Sequence, residues 1–234
     1  LDENLKIARE DMIPICQDTG MAVVFVKIGQ DVHITGANIE DAINEGVRQG
    51  YVEGYLRKSV VNDPIIRKNT KDNTPAVIHY EIVPGENITI TVAPKGFGSE
   101  NMSRVFMLKP ADGIEGVKNA VLTAVRDAGP NACPPMVVGV GIGGTFEKCA
   151  YLAKKALARE ADSSSDIEYV SKLENELLEK INEIEGIKRI RLGSLEPKII
   201  TEEFMQRLSK LEKICHHFHL SLQSGCDATL KRMN

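Results

Sequence analysis

The sequence predicts an α+β fold for residues 1–160, followed by a short α/β fragment. Three observations carry this prediction. Residues 21–28 form a continuous apolar, β-branched run broken by Lys27 and closed by Gly29. Residues 76–83 and 87–93 give two more strand patterns around Pro84-Gly85-Glu86, and stretches of helical periodicity are intermixed with these strands. Beyond about residue 166, helices and strands alternate, as in a unit of parallel strands.

Residues 2–12 interleave Leu5, Ile7, Ala8 and Met12 with charges, which predicts a short amphipathic helix ended by Pro14. The strand over 21–28 follows, with 32–35 expected as its neighbour. Asn38, with Asp41 three residues later, starts a helix to about residue 55 in which Ile39, Ala42, Ile43 and Val47 share a face. Pro84-Gly85-Glu86 has turn chemistry, so the strands on either side read as a hairpin. Residues 114–128 read as a helix rich in Val and Ala, 136–142 as a buried strand, and Gly143-Gly144-Thr145 as the opening of a helix over 146–157. That junction can hold an anion at a helix N-terminus or be only a tight turn. Residues 161–166, rich in Ser and Asp, read as a linker or N-cap. A long charged helix then runs to about residue 184, followed by strand 187–192, helix 201–214, strand 218–222 and a last short helix.

The chain has 234 residues, enough for a sizeable core and for one or two domains. Its formal charge of −4 leaves no basic surplus to neutralise phosphates, so nucleic acid is not an expected partner. Without a run of about 18 apolar residues no membrane span is expected, and a cytoplasmic location follows. Five cysteines without regular spacing read as free thiols or metal ligands in a reducing compartment rather than as a disulfide framework. Opening at Leu1 and ending at Asn234, the chain reads as a fragment.

The densest chemistry lies in Pro14-Ile15-Cys16-Gln17-Asp18-Thr19-Gly20, where a thiol, an acid and several hydrogen-bonding groups converge on one loop. Taken with Lys95-Gly96-Phe97-Gly98-Ser99-Glu100-Asn101-Met102-Ser103 and Asn131-Ala132-Cys133-Pro134-Pro135, this stretch resembles the alpha subunit of the class I, iron–sulfur-dependent fumarases and the related tartrate dehydratases. The resemblance covers about residues 1–160. It implies reversible hydration of fumarate to malate, or alternatively a tartrate dehydratase, with a 4Fe-4S cluster as Lewis acid and a beta subunit as partner.

The resemblance makes Cys16 and Cys133 cluster ligands; by spacing alone they would read as buried thiols. Asp18 is then the candidate catalytic group with Thr19, serving as base or helping to position one. It could equally be a structural carboxylate accepting loop N–H bonds. Gln17, Arg57, Gly98 and Ser99 are the implied contacts to a C4 dicarboxylate. Arg57 suits a carboxylate because its guanidinium forks two parallel bonds, though without the resemblance it is a solvated surface charge. Phe97 departs from the small residue expected in that glycine loop. Cys149, His33 and His79 read as structural, the two histidines within strand patterns.

Residues 161–175 read as a linker or junction helix, and residues 176–234 resemble a fragment of a radical SAM tRNA methylthiotransferase, carried by Ile187 to Pro197 and His219 to Asn234, which implies that its strands belong to a partial β/α barrel. The Cys-x-x-x-Cys-x-x-Cys triad of those enzymes is missing, so the fragment is not expected to start radical chemistry. An inactive chimera is therefore a further reading of the whole chain.

Overall fold

A computed structural model describes residues 6–7, 9–12, 19–132, 136–159, 165–185, 202, 205–206, 209–211 and 213. These residues form an α+β structure in two compact units, Leu1–Asn101 and Met102–Asn234. Among them no helix is long and apolar enough to cross a membrane. The strands predicted over 187–192 and 218–222 lie outside the described residues, as do Cys16, Gln17, Asp18 and Cys133, and the helix predicted over 201–214 lies half outside them.

The first unit is built on strand β1, Met21–Gly29. Ala22, Val23, Val24, Phe25 and Val26 are all at most 7% exposed, which requires cover on both faces and pairing on both edges. Helix α1, Ile39–Glu53, starts where Asn38 caps it, its side chain accepting from the Glu40 N–H at 2.8 Å. Val47 and Tyr51 of this helix, with Ile39 and Ile43, pack on Ala22, Val24 and Val26. Ala42, expected on the same face, is exposed.

Strands β2, Val77–Val83, and β3, Ile88–Lys95, were expected to pair as a hairpin, and they do not. The sheet order is β2-β1-β3, with β1 parallel to β2 and antiparallel to β3. The turn at Pro84-Gly85-Glu86 exists, but residues 84–87 reach across the end of β1. Two strand spacings are about 10 Å, well within four residues at roughly 3.3 Å each. This connection also closes β1: the Gly29 N–H donates to the Asn87 carbonyl at 2.8 Å and the Gln30 N–H to the Val83 carbonyl at 2.7 Å. Residues 32–35, predicted as a neighbouring strand, pair with nothing in the sheet, because both edges of β1 are already taken. His33 is accordingly in a loop, whereas His79 lies in β2 and stacks on Phe25 with centroids 5.3 Å apart. A short helix, α2, Phe97–Glu100, follows β3.

The second unit packs helix α3, Gly113–Ala128, against helix α5, Glu168–Asn182, through Val121, Leu122, Val125, Leu173 and Leu177. Lys118 is 8% exposed in this seam, its ammonium 2.6 Å from Glu115 and 2.7 Å from Glu176. Those two carboxylates, Glu115 first, hold the amine above the ordinary lysine range. Helix α5 runs without interruption across residue 175.

Residues 136–142 are not the buried strand expected: they form no ladder, and Val137 is 75% exposed. Their glycines explain the difference. A Cβ on Gly139 would lie 2.3 Å from the Ala153 carbonyl oxygen, and one on Gly141 2.1 Å from that of Cys149. The segment therefore lays bare backbone on helix α4, Phe146–Ala156, rather than side chains on a sheet. At the start of α4 the Thr145 hydroxyl donates to Glu147, whose carboxylate is thereby held below its usual range. This helix terminus carries its own negative charge, which argues for the tight turn and against an anion site.

Candidate active site

Thr19 and Gly20, which follow directly on Cys16-Gln17-Asp18 in the sequence, sit where four segments of the first unit meet. The Tyr51 hydroxyl from α1 donates to the Thr19 carbonyl at 3.0 Å. The Thr19 hydroxyl donates to the Arg57 carbonyl at 3.0 Å. The Gly20 carbonyl accepts from Asn73 Nδ2 at 2.9 Å. On its fourth side Gly20 meets β3, since a Cβ built on it would lie 1.9 Å from the Lys95 carbonyl oxygen. Two of the site segments inferred from sequence, Arg57 and the Lys95–Ser99 stretch, thus come together around Thr19 and Gly20.

Arg57 follows the left-handed Tyr55 at the exit of α1 and its residue is exposed. The chain then makes a closed excursion: Asn69 Nδ2 donates to the Lys58 carbonyl at 2.9 Å, and the Thr70 N–H donates to the Val60 carbonyl at 3.0 Å. Its return arm delivers Asn73, which is fully buried with φ +64°. Asn73 Oδ1 accepts the Ser59 N–H at 2.7 Å and the Val60 N–H at 3.0 Å. One amide therefore ties the Arg57 arm to Gly20.

The Lys95–Ser99 stretch is half-buried and begins a helical turn rather than an open loop. Lys95 Nζ donates to Ser99 Oγ at 2.6 Å and lies 3.5 Å from Glu100, while Ser99 Oγ donates to the Gly96 carbonyl at 3.1 Å. Gly98 lies between these contacts. The bulky Phe97 is accommodated because it opens the turn as its first residue.

Asp72, beside the amide clamp, is held below the usual carboxylate range because its oxygen accepts the Thr74 N–H at 3.0 Å, with the Thr74 hydroxyl adding a second bond at 2.9 Å. A depressed carboxyl contributes stability above its unfolded value of about 3.9 and loses it as the pH falls through the folded value. In urea unfolding, the margin of the native chain over Asp72→Asn is therefore expected to be flat from pH 7 to 5. It should shrink steadily below about pH 3.9; a constant margin down to pH 2 would contradict the assignment.

Among the described residues no group of three or more His, Cys, Asp or Glu side chains is placed to hold a metal ion. Cys149, read as structural, is half-buried with its thiol 3.2 Å from the Phe146 carbonyl, to which it donates. Sequence reasoning missed Tyr51, Asn73 and the Lys95 ammonium. The only local sign of Asn73 was its place in Asp72-Asn73-Thr74-Pro75, where turn chemistry invites a left-handed Asn.

A family described as fumarate hydratase (Fumerase) matches residues 1–187. A Methanocaldococcus jannaschii protein named "Putative L(+)-tartrate dehydratase subunit alpha" is 46% identical over 197 residues, 82% of this chain and 68% of that protein. The L(+)-tartrate dehydratase subunit alpha of Escherichia coli UTI89 is 33% identical over 186 residues, 78% of this chain and 61% of its own length, and that of Escherichia coli K12 is 32% identical over the same length. This chain thus spans between 61% and 68% of the length of these relatives.

Proposed function

Since the chain belongs to the fumarate hydratase family, and so to a class of hydro-lyase subunits, we propose that it takes part in the reversible hydration of fumarate to malate as the alpha portion of an enzyme completed by a beta subunit. The observation that carries this reading is the convergence of Arg57 and the Lys95–Ser99 turn on Thr19 and Gly20. Arg57 would fork onto one carboxylate of a C4 dicarboxylate. Gln17, Gly98 and Ser99 would hydrogen-bond the remaining oxygens. Asp18, one residue before Thr19, would deliver a proton to the carbon next to the other carboxylate during hydration and take it back during dehydration. Thr19 holds the Arg57 backbone with its hydroxyl, which fixes the two arms of the site to each other.

Cys16 and Cys133 offer the thiolates that iron–sulfur clusters use, and they would hold a 4Fe-4S cluster with a third ligand still to be identified. Such a cluster, when bound, supplies a Lewis acid for the substrate's oxygens. A cytoplasmic, reducing compartment suits five cysteines without a disulfide pattern. The names of the relatives favour a second substrate, L(+)-tartrate, which presents the same pair of carboxylates. Residues 176–234 we read as a methylthiotransferase-like segment without radical chemistry; the family match ends at residue 187.

The test is anaerobic reconstitution with iron and sulfide, iron counting, and assay of fumarate and L(+)-tartrate with a beta subunit added. Iron bound in stoichiometric amount, lost in Cys16→Ser together with turnover, is the expected result. Neither iron nor turnover in the native chain would mean an inactive chimera, and preference between the two acids assigns the substrate.

A further inference from the structure

We propose that Asn73 is a positioning residue which sets the distance between the arm of the site that carries Asp18 and the arm that carries Arg57. The inference rests on the hydro-lyase reading above for its kinetic consequence, but its geometry stands apart from it. Asn73 is fully buried and lies 53 residues from Gly20, yet its side chain ties Gly20 to the Arg57 arm, a second link beside the bond from the Thr19 hydroxyl to the Arg57 carbonyl. Its two functions are divided. Nδ2 holds the Gly20 carbonyl at 2.9 Å, on the arm that leads back to Asp18. Oδ1 holds the Ser59 and Val60 amides at 2.7 and 3.0 Å, two and three residues past Arg57.

Only a side-chain amide presents a donor and a two-lone-pair acceptor on one short planar fork. The left-handed backbone at φ +64° is also one that Asn accepts far better than most residues. The neighbouring Asp72–Thr74 bonds and the bond from the Ala76 N–H to Asn44 Oδ1 at 2.8 Å hold this stretch to α1, so the fork is mounted on a fixed support. A misplacement of about 1 Å between reacting groups costs on the order of 100-fold in rate, which is the scale of error the fork prevents.

The two limbs are separable by substitution. Asn73→Asp, as the carboxylate, keeps an acceptor for Ser59 and Val60 but has no hydrogen to give the Gly20 carbonyl, so it removes the tie at Gly20 alone and leaves the bond from Thr19 to Arg57. Asn73→Gly removes the tie at both arms without left-handed strain. On the enzyme assembled with its beta subunit, Asn73→Asp is expected to lower kcat about 10- to 100-fold with KM within about threefold of the native value. Asn73→Gly should lower kcat as much and in addition raise KM about 10-fold, because the Arg57 arm is loosened too. Val26→Ala, a core truncation remote from the fork, supplies the control: it destabilises the unit and should move neither constant. If both Asn73 variants behave like Val26→Ala, the role is structural only and the proposal is overturned.

Should the native enzyme turn over no dicarboxylate, the hydro-lyase reading fails by itself and the fork is judged on amide exchange. Ser59 and Val60 should then exchange at least about 10-fold faster in Asn73→Gly and at the native rate in Asn73→Asp. Equal exchange in all three proteins would overturn the proposal.

Discussion

Replacing Gly20 with alanine is expected to cost at least about 3 kcal/mol of stability and to remove the site with it. Gly20 has φ +57°, a region that costs an L-residue roughly 1–2 kcal/mol. Its absent Cβ would fall 1.9 Å from the Lys95 carbonyl oxygen, 2.3 Å from the Lys95 carbonyl carbon and 2.6 Å from the Gly96 nitrogen. All three are backbone atoms, so no side-chain rotation relieves the conflict. The chain must separate the start of β1 from the end of β3, where Met21 is paired with Lys95. That movement also strains the buried bond from Asn73, and an unmet buried carbonyl costs about 1–3 kcal/mol. Gly46 and Gly50, inside α1 with nothing within 4 Å of an added Cβ, are the contrasting positions. Alanine there is expected to stabilise by roughly 0.5–1 kcal/mol. Urea unfolding of the three variants decides the matter, and a loss below about 1 kcal/mol at Gly20 would contradict the close approach of β3.

Removing the Arg57 side chain is expected to lower kcat/KM for the dicarboxylate by about 10- to 100-fold. Hydrogen bonds to a charged group contribute roughly 1.5–3 kcal/mol, and each 1.4 kcal/mol is a factor of ten. The exposed position of Arg57 makes the substitution readable, because the fold does not depend on its side chain. The bond from Thr19 goes to its carbonyl and survives in Arg57→Ala. Arg57→Lys keeps the charge but not the planar fork and should recover only part of the loss. Steady-state kinetics on the assembled enzyme, with thermal unfolding alongside, give the comparison. An unchanged kcat/KM in Arg57→Ala would return this residue to the solvated surface.

How far the sequence could be read depended on whether the information was local. The helix that starts at Asn38 carries its own cap, and it and the helices around residues 113–128, 146–157 and 168–182 carry their periodicity within themselves, so they were legible. The run at 21–28 was equally plain as a strand. Its place in the sheet was not, because pairing joins residues 23 and 77 or 21 and 95, and no local pattern records such partners. Pro84-Gly85-Glu86 has the chemistry of a hairpin turn, and only the intervening β1 shows that the turn spans two strand spacings. In the second unit, residues 136–142 read as a buried strand, when the lack of side chains at Gly139 and Gly141 is what seats the segment on α4.

The site divides in the same way. Arg57, Gly98 and Ser99 were proposed through resemblance to known sequences, which transfers residue types at fixed places. Asn73 escaped because a buried amide that joins residues 20, 59 and 60 has no signature beyond a turn-forming tetrapeptide. Tyr51 lies in the helix that was legible, while the bond its hydroxyl makes to Thr19 was not.

The central position of β1 also sets an order of events during synthesis. Its apolar run leaves the ribosome first of the three strands, and its antiparallel partner is complete only at Lys95, some 66 residues after Gly29. At 5–20 residues per second, that strand waits roughly 3–13 s with an edge unpaired. Lys95 is also the residue that closes on Gly20. The nascent chain therefore finishes its sheet and closes β3 on Gly20 in the same step, and until then an apolar strand that follows directly on Cys16 to Gly20 carries an unpaired edge.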